Sequence, residues 1–378
     1  MILTAEQRQV RDAAHRFAQK QIAPAALDWD RSGTLPPRSL YTELGALGLM
    51  GVTIDPKFGG AGADFVSYAL AIEELSAADG GVSNVVAANN SPVCAALQDL
   101  GSDWQKENYL TKLATGGALG CIQLTEPHTG SDAAAITTQA TRDGDHFILN
   151  GHKAFITSGA AADLALIIAV TDPGAGKRGI SAFITPTDNP GYEVVRTEDK
   201  LGHRTNDTAE IRFNDMRVPA RDLLGEPGRG LGIALGYLSL GRIGVAAQAT
   251  GGARAALEAA QAYAQERQTF GHKIADHQAI AFKLADMATQ VEAARQMYLH
   301  AAQMRDAGLE CRREASMAKL YASEMAERVA SEAIQVHGGY GFLKDAGVEK
   351  IYRDVRVYQI YEGTSEVQKI LISRLLGN

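Results

Sequence analysis

Residues 231–265, LGIALGYLSLGRIGVAAQATGGARAALEAAQAYAQ, form a long run of small and apolar residues without proline. Alanine and leucine favour the helical state more than most residues, and the helix pattern continues with little interruption. The run therefore predicts a helix of more than twenty residues. A helix that is this long and this apolar is expected to pack side by side with other helices in a bundle.

The sequence that follows this run supports the same interpretation. Two further alanine-rich helix patterns lie at 276–306 and 312–337, and each is followed by a glycine, Gly308 or Gly338, at a C′ position. The predicted C-terminal domain is a four-helix bundle that spans 229–378.

The sequence that precedes the run shows strand patterns instead of helix patterns. The break Gly225-Glu226-Pro227-Gly228 separates the bundle from a region with short apolar runs of strand length. Asp143-Gly144 and Asn150-Gly151 are dipeptides that tolerate positive φ, and each predicts a hairpin turn. A middle β domain, barrel-like and spanning 119–228, is the natural interpretation.

The first part of the chain is predicted to be helical. Thr4 and Gln7 have the spacing of a capping box, and apolar residues then recur at helical intervals. The predicted domains are thus 1–118 helical, 119–228 β and 229–378 helical, an α+β multidomain fold. We find neither a signal-peptide pattern nor an apolar run of membrane-spanning character, so we expect a soluble protein and, in a bacterium, a cytoplasmic one.

The amino-acid composition argues against some classes of function. Lys plus Arg is 37 and Asp plus Glu is 44, which gives a net charge of −7 and argues against nucleic acid as the main partner. The three cysteines are far apart, which fits a reducing compartment. No histidine pairing has metal-ligand spacing, and we predict no metal site.

One carboxylate has a sequence context that suggests chemistry. Glu362 lies in Ile360-Tyr361-Glu362-Gly363-Thr364-Ser365-Glu366, where a helix pattern breaks. Ser365 and Gln368 have the spacing of a capping box for the next helix. A Glu in an apolar cleft at such a junction has a raised pKa and can abstract a proton near neutral pH. The alternative is an exposed Glu in a loop.

Four other segments offer groups that could bind a ligand: 123–132, Lys153–Gly159, Glu266–Gly271 with Gln278, and Gln335–Gly341. They combine hydroxyls, an aromatic face, an arginine where a helix should stop at Gly271, and paired glycines. Each segment by itself is also compatible with an ordinary turn, core residue or surface residue. The sequence contains no dinucleotide fingerprint, no P-loop and no nucleophile elbow.

Taken in order, these segments resemble the acyl-CoA dehydrogenase family of flavoproteins. The matching stretches are Leu124–Pro127 with Gly130–Asp132, Lys153–Gly159, Glu266–Gly271 with Gln278, Gln335–Gly341 and Tyr361–Thr364. The resemblance covers essentially the full chain and implies the same helical, β and helical order.

The resemblance implies that Glu362 is the catalytic base. It would remove the α-proton of an acyl-CoA thioester while the β-hydrogen leaves as hydride to N5 of FAD, giving a trans-2-enoyl-CoA. The thioester oxygen would accept hydrogen bonds from the Glu362 N–H and from the flavin ribityl 2′-hydroxyl. One such donor is worth about 3–4 kcal/mol in the transition state.

The resemblance also implies the residues that bind FAD. Those near the flavin ring are expected to be Ile122, Gln123, Leu124, Thr125, Gly130, Ser131, Phe155, Ile156 and Thr157. Those near the pyrophosphate and adenosine are expected to be Thr364, Ser365 and Glu366. Those expected to contact FAD of a neighbouring subunit, which would make a homotetramer a functional requirement, are Arg267, Phe270, Gln278, Gln335, Val336, Gly338 and Gly339.

The acyl-CoA substrate would contact six residues: Ser131, Ser239, Leu240, Gly241, Arg242 and Gly363. The family's isovaleryl- and long-chain-type members carry the base at the position of Gly241, and glutaryl-type members use an Arg in the stretch that matches Val82–Ser91. This chain has neither, so those subgroups look disfavoured. Its segment Ser239–Arg242 followed by Ile243-Gly244 looks most like the short-chain and short-branched-chain members. Phe155 departs from the family, which commonly has Trp there.

The resemblance further implies a role in fatty acid β-oxidation, with an electron-transfer flavoprotein as the electron acceptor. Four alternatives stay open: an acyl-CoA oxidase, a desulfinase-like homologue, a nucleic-acid-binding homologue that has lost turnover, and a CoA-ester-binding subunit without flavin. Retention of Glu362 and the net charge of −7 argue against the desulfinase and the nucleic-acid-binding homologue.

Overall fold

The computed structural model describes residues 2–377 and begins with a helical region. The predicted capping box is confirmed, because Thr4 Oγ1 accepts from Gln7 N at 3.1 Å and Gln7 Oε1 accepts from Thr4 N at 3.0 Å. The helices of this region are α1 (Ala5–Phe17), α2 (Ala23–Ser32), α3 (Arg38–Ala46), α4 (Phe65–Ala78), α5 (Gly80–Ala88), α6 (Ala95–Leu100), α7 (Asp103–Gln105) and α8 (Thr111–Ala114).

A mixed sheet follows. Its strands are β1 (Gly120–Gln123), β2 (Gln139–Asp143), β3 (His146–Thr157), β4 (Leu164–Val170), β5 (Ile180–Pro186), β6 (Tyr192–Thr197), β7 (Thr208–Pro219) and β8 (Leu223–Leu224). They are arranged in the order β6-β7-β3-β2-β4-β5-β8, and β1 pairs in parallel with β4. The hairpin predicted at Asp143-Gly144 is confirmed, because Asp143 pairs with His146 across the turn.

The second predicted hairpin, at Asn150-Gly151, is wrong. Both residues lie inside β3, at a register shift where β3 pairs with β7. A β-bulge and a hairpin turn use the same kinds of residue, so the dipeptide could not distinguish them. Gly151 is required here for a different reason, since a Cβ at this position would collide with the side chain of Thr138.

The sheet is buried on both faces along its strand β4. Leu164, Leu166 and Ile168 face a core that includes helices of the N-terminal region, while Ala165 and Ile167 face the interior of the β region. A strand with this continuous apolar character is typical of burial on both sides. Packing on both faces holds the ends of β1 and β3 in place.

The C-terminal region is a helical bundle that contains one small hairpin. The long helix ends at Glu266, not at Gly271 as predicted, because residues 268–273 turn back as that hairpin. The elements are α9 (Gly230–Glu266), β9 (Gln268–Thr269), β10 (His272–Lys273), α10 (Gln278–Asp306), α11 (Arg312–His337), α12 (Val348–Val355) and α13 (Ser365–Leu376). The predicted fold class is therefore confirmed, and the exact domain boundaries stay predictions.

One hydrophobic core joins the first and last regions. It runs from α1 and α4 through α9 to α10 and α11, and Tyr68, Tyr298 and Tyr358 are fully enclosed in it. By length and composition α9 is apolar enough to cross a membrane, contrary to the sequence-based expectation, but 61% of that window is buried inside the protein. This is weak evidence for a membrane span, since core helices pass the same test, and the cytoplasmic location stays a prediction.

Candidate active site

The junction between α12 and α13 positions Glu362. A tight turn at Arg356–Gln359 ends α12, and Glu362 then adopts φ = 51° and Gly363 φ = 92°. A left-handed conformation costs a residue other than glycine about 1–3 kcal/mol and is concentrated at functional sites. The backbone strain therefore falls on the residue that the sequence singled out.

The cap of α13 differs from the prediction. Thr364, not Ser365, is the N-cap, and its Oγ1 accepts from Val367 N at 3.3 Å. Gln368 is not part of a capping box, because its Nε2 instead donates to Gly363 O at 2.9 Å and Glu362 O at 3.3 Å. Gln368, which was expected to help cap α13, instead stabilises the turn that precedes this helix.

The carboxylate of Glu362 is partly removed from water. The residue is half-buried, and its Oε2 is buried and accepts no hydrogen bond within residues 2–377. Burial raises the pKa of Glu362 to about 7, although the positive charges of Arg242 and Lys319 oppose the shift. A carboxylate with this pKa is a competent base at neutral pH.

Gly241 of α9 makes room for this carboxylate. A Cβ at position 241 would lie well inside van der Waals contact with Glu362 Oε2. One turn further along α9, a Cβ at Gly244 would lie 2.6 Å from the hydroxyl of Tyr68, which is also buried and makes no hydrogen bond within the described residues. Two glycines on one helix face thus leave space for two polar groups.

Hydrogen bonds connect the Glu362 segment to the end of β3. Tyr361 OH donates to Gln248 Oε1 at 2.7 Å, and Gln248 Nε2 donates to Ser83 Oγ at 3.2 Å. The next residue of α5, Asn84, donates to Thr157 Oγ1 at 3.4 Å. The predicted base and the predicted flavin-contacting threonine therefore border the same region of the molecule.

The loop after β1 is tied to β3 by a buried ion pair that the sequence did not reveal. Lys153 Nζ lies 2.9 Å from Glu126 Oε1 and also donates to Leu124 O at 3.0 Å. Burial opposes the charge on Glu126, but Lys153 and the donors from Thr137 and Thr138 hold its pKa at about 2. Burial lowers the pKa of Lys153 to about 8. This pair fixes the position of the 122–131 loop.

The predicted flavin-contacting residues differ in how far their side chains are exposed. Phe155 has φ = 58° and a ring that is 66% exposed, so its apolar face is open to a ligand. Gln123, Leu124 and Ile156 point into the protein and can reach a ligand only through their backbone. Gly130 and Ser131 lie exposed on the loop, Ile122 and Thr125 are half-buried, and Thr157 is half-buried at the end of β3.

Apart from Ser131, which lies on the loop after β1, the predicted substrate residues lie in the first half of α9 and on the Glu362 turn. Ser239 Oγ donates back to Leu235 O at 2.8 Å, and Leu240 is half-buried. Arg242 is buried, with Nη1 at 3.4 Å from Ser316 Oγ and with Nε unpaired within residues 2–377. At the start of α13, Ser365 is buried and Glu366 is exposed.

A second group of predicted residues lies elsewhere. Arg267, Val336, Gly338 and Gly339 line one cavity of about 660 Å³ between the ends of α9 and α11. Arg267 is separated from Gly241 by 26 residues of helix, about 39 Å at 1.5 Å per residue. One chain therefore does not bring this group to its own Glu362.

The rest of this second group is open to the outside. Phe270, at the tip of the β9–β10 hairpin, is 94% exposed, and Gln335 and Gln278 are exposed as well. A single exposed ring is common on protein surfaces, so the contact of these residues with FAD of a neighbouring subunit stays a prediction.

Fold and site together place a carboxylate with a raised pKa at the junction before the last helix, a candidate base for an enzyme. Family models for the acyl-CoA dehydrogenase N-terminal, middle and C-terminal domains match residues 4–117, 121–216 and 228–377. The chain belongs to the acyl-CoA dehydrogenase family.

Relatives and solved structures agree with this assignment. An acyl-CoA dehydrogenase of Bacillus subtilis is 46% identical, with 100% of this chain and 99% of the relative covered. A short-chain-specific acyl-CoA dehydrogenase of Clostridium acetobutylicum is 41% identical, with 98% of each covered. The butyryl-CoA dehydrogenase structure of Megasphaera elsdenii is 42% identical, covers 100% of both chains and superposes with a TM-score of 0.97.

Two further matches bear on the cofactor and on partners. A glutaryl-CoA dehydrogenase of Mycobacterium smegmatis, solved in complex with FADH2, is 34% identical with a TM-score of 0.94, over 100% of this chain and 96% of that one. The caffeyl-CoA reductase–Etf complex subunit CarC of Acetobacterium woodii is 40% identical over 100% of this chain and 99% of the relative.

The residues of this chain fit FAD, the cofactor of the family. Gly338 and Gly339 have no side-chain or backbone atom within 4 Å of a would-be Cβ, so their backbone is open to a phosphate-bearing ligand. The exposed Phe155 ring and the hydroxyl of Thr157 offer an apolar face and a polar edge. Among the described residues, no group of His, Cys, Asp and Glu side chains could hold a metal ion.

Sequence reasoning missed several residues of this site. Asn84 and Gln248 are single polar residues within apolar stretches, a signal that could have identified them as buried polar groups. Lys319 carried no such signal, and Lys153 was included only as the first residue of a candidate segment, because a lysine in a helix or strand pattern is normally exposed.

Proposed function

We propose that this enzyme oxidises short-chain saturated acyl-CoA thioesters between Cα and Cβ, with Glu362 as the base. The observation that carries the proposal is the Glu362 carboxylate, which is buried above Gly241 with a pKa raised to about 7. Such a group can take the weakly acidic α-proton of a thioester and keep it out of bulk water.

The backbone of the same residue supplies a second function. The N–H of Glu362 donates to no acceptor within residues 2–377, so it is available to the thioester oxygen. A donor that meets the developing enolate charge lowers the barrier by about 3–4 kcal/mol. Bound FAD would supply the acceptor for the β-hydrogen, which would leave as hydride. Phe155 and Thr157 are proposed to contact it, together with the other flavin-binding residues predicted from the sequence.

Short acyl chains are supported by the relatives. The Clostridium acetobutylicum protein is short-chain specific, and the Megasphaera elsdenii structure is that of a butyryl-CoA dehydrogenase. Gly241 leaves no second carboxylate at the position where isovaleryl- and long-chain-type members carry the base. We therefore propose butyryl-CoA or a short branched acyl-CoA as the substrate, and fatty acid β-oxidation as its setting.

An electron-transfer flavoprotein is the proposed electron acceptor. The CarC relative is named as part of an Etf complex. We further propose a homotetramer. Arg267 and the other predicted residues around its cavity lie about 39 Å along α9 from Gly241, so we propose that they complete the FAD site of a neighbouring subunit.

The direct test is anaerobic bleaching of the FAD-loaded protein with straight acyl-CoAs of four to sixteen carbons and with isobutyryl- and isovaleryl-CoA. Fast bleaching by the shortest chains supports the proposal, whereas no bleaching by any of them would exclude it. Bleaching only by long-chain acyl-CoAs would show that the substrate is a long-chain and not a short-chain thioester. Fast reoxidation of the reduced protein by oxygen would favour the oxidase alternative, and a salt-sensitive DNA mobility shift would favour the nucleic-acid-binding one.

The reaction should depend on pH through Glu362. The carboxylate must be ionised to accept a proton, and its pKa is about 7 in the free protein. We expect kcat/KM for the short-chain substrate to rise about tenfold per pH unit below pH 7 and to level off above it. Stopped-flow bleaching from pH 5.5 to 9 measures this profile. A rate that stays constant over this whole range, as a base with the ordinary glutamate pKa of 4.5 would nearly give, would contradict a desolvated base.

Gly241→Ala should slow the same reaction. The new methyl group must displace the Glu362 carboxylate, and a misplacement of about 1 Å can reduce the rate about 10²-fold. The matched control is Gly236→Ala on the same helix, where nothing lies within 4 Å of the new Cβ. We expect the control to react like the wild type. Equal rates for the two variants would show that the carboxylate does not depend on the space at Gly241.

A further inference from the structure

Lys319 is an unusual buried cation. It lies on α11 with a side chain that is fully buried, and its Nζ donates to Gly363 O at 2.7 Å. Within residues 2–377 no carboxylate lies within 4 Å of it, although Lys319 faces Glu362, Glu366 and Glu324 at longer range. Buried lysines are rare and normally have a carboxylate partner, so this arrangement requires an explanation.

The carbonyl that Lys319 contacts belongs to the strained turn. Gly363 O also accepts from Gln368 Nε2 at 2.9 Å, so α11 and α13 both hold the same oxygen. Glu362 and Gly363 are both left-handed, a conformation that persists only when surrounding contacts fix it. Lys319 thus connects the bundle to the backbone that carries the base.

The charge of Lys319 also acts on the carboxylate. Glu362 faces the cations Arg242 of α9 and Lys319 of α11, together with the neutral hydroxyls of Tyr68 and Tyr361. Both cations favour the ionised form of Glu362 and so oppose the effect of burial. Burial, together with the positive charge of Arg242, lowers the pKa of Lys319 itself to about 8, although the attraction to Glu362 opposes this shift.

We propose that Lys319 is a positioning residue for the base: its ammonium group fixes the Glu362–Gly363 turn and its charge keeps the buried carboxylate ionisable near neutral pH. This inference rests on the proposed function of Glu362. Without the cation, the carboxylate would stay protonated to higher pH and the turn would lose one of its two anchors.

The test compares four FAD-loaded proteins: wild type, Lys319→Met, Lys319→Arg and the surface control Lys369→Met. In Lys319→Met we expect the pH midpoint of short-chain acyl-CoA bleaching to rise by about one unit, as expected for the loss of a nearby opposite charge. Lys319→Arg keeps the positive charge but changes the hydrogen bond to Gly363 O. Its bleaching rate should therefore fall, while its pH midpoint should stay near that of the wild type. Lys369 is exposed, and its removal should leave the midpoint unchanged because solvent screens it.

A second measurement does not depend on turnover. The effect of Glu362→Gln on the melting temperature, followed from pH 4 to 9, reports the pKa of Glu362 in the folded protein. In the Lys319→Met background this pH dependence should extend to higher pH than in the wild type. If both measurements leave the midpoint unchanged, Lys319 has no electrostatic role and the proposal is overturned. If the wild type bleaches with no acyl-CoA, the proposed function fails, while the melting data still decide the role of Lys319.

Discussion

Glu362→Gln should abolish most of the acyl-CoA-dependent bleaching while FAD stays bound. The amide has nearly the same size as the carboxylate but cannot accept the α-proton at neutral pH. Loss of a general base reduces a rate by about 10²- to 10⁴-fold. Anaerobic stopped-flow spectroscopy with butyryl-CoA measures the rate, and the charge-transfer or perturbed flavin spectrum shows that the ligand still binds.

Glu107→Gln is a suitable control for this experiment. Glu107 is exposed and lies in the N-terminal region, so the same chemical change there should leave the rate unchanged. A Glu362→Gln variant that bleaches at the wild-type rate would place the base on another residue.

The same substitution should change stability with a sign that depends on pH. The pKa of Glu362 is about 7 when folded and 4.5 in an unperturbed carboxyl, so the folded state binds the proton more tightly. The stability that Glu362 contributes is therefore complete below pH 4.5 and is lost as the pH rises through 7, by about 3 kcal/mol. Glu362→Gln should thus raise the melting temperature above pH 7, with a difference that shrinks below pH 5.

Lys350→Met should be the most destabilising of the substitutions considered. Lys350 Nζ lies 2.8 Å from Asp79 Oδ2 and 2.6 Å from Asp354 Oδ2, and all three side chains are buried. Asp79 also accepts from Thr205, and Asp354 accepts from His203 N, so the cluster joins all three regions of the chain. Removal of the cation leaves two buried carboxylates unpaired, which costs about 3–5 kcal/mol.

Thermal unfolding at several pH values tests this expectation. Lys350 holds the pKa of Asp354 below its ordinary value in the wild type, so the stability from this pair is lost as the pH falls through the acid range. Without Lys350 the carboxylates resist ionisation, and the variant should regain part of its stability at low pH. Lys112→Met, at an exposed lysine, should change little. An equal melting temperature for Lys350→Met and wild type would show that the cluster does not hold the regions together.

Local patterns predicted most of the elements correctly. The helix at 231–265, the Thr4–Gln7 box and the turn at Asp143-Gly144 depend on interactions between residues close in sequence, and the structure has all three. Two of the predictions failed because a contact that the local pattern does not encode decided the outcome. Gly151 is needed for the close approach of Thr138, and Gln368 binds the Glu362 turn instead of capping α13.

The candidate site was predictable only in part for the same reason. The sequence identified Glu362 from the break in the helix pattern, and the resemblance supplied its role. It did not identify Lys319, Asn84 or Gln248, because each approaches the site from an element far away in the chain. Which side of a helix faces a ligand depends on how the helices pack.

The order of helical, β and helical parts and the glutamate at a break in the helix pattern follow from the chain alone, because these are properties of short segments. The raised pKa that suits this glutamate to be a base comes from the folded surroundings. The packing of α9 and α11 against its turn removes water from the carboxylate and sets two cations near it, and a pKa depends on these surroundings, not on the neighbours in sequence.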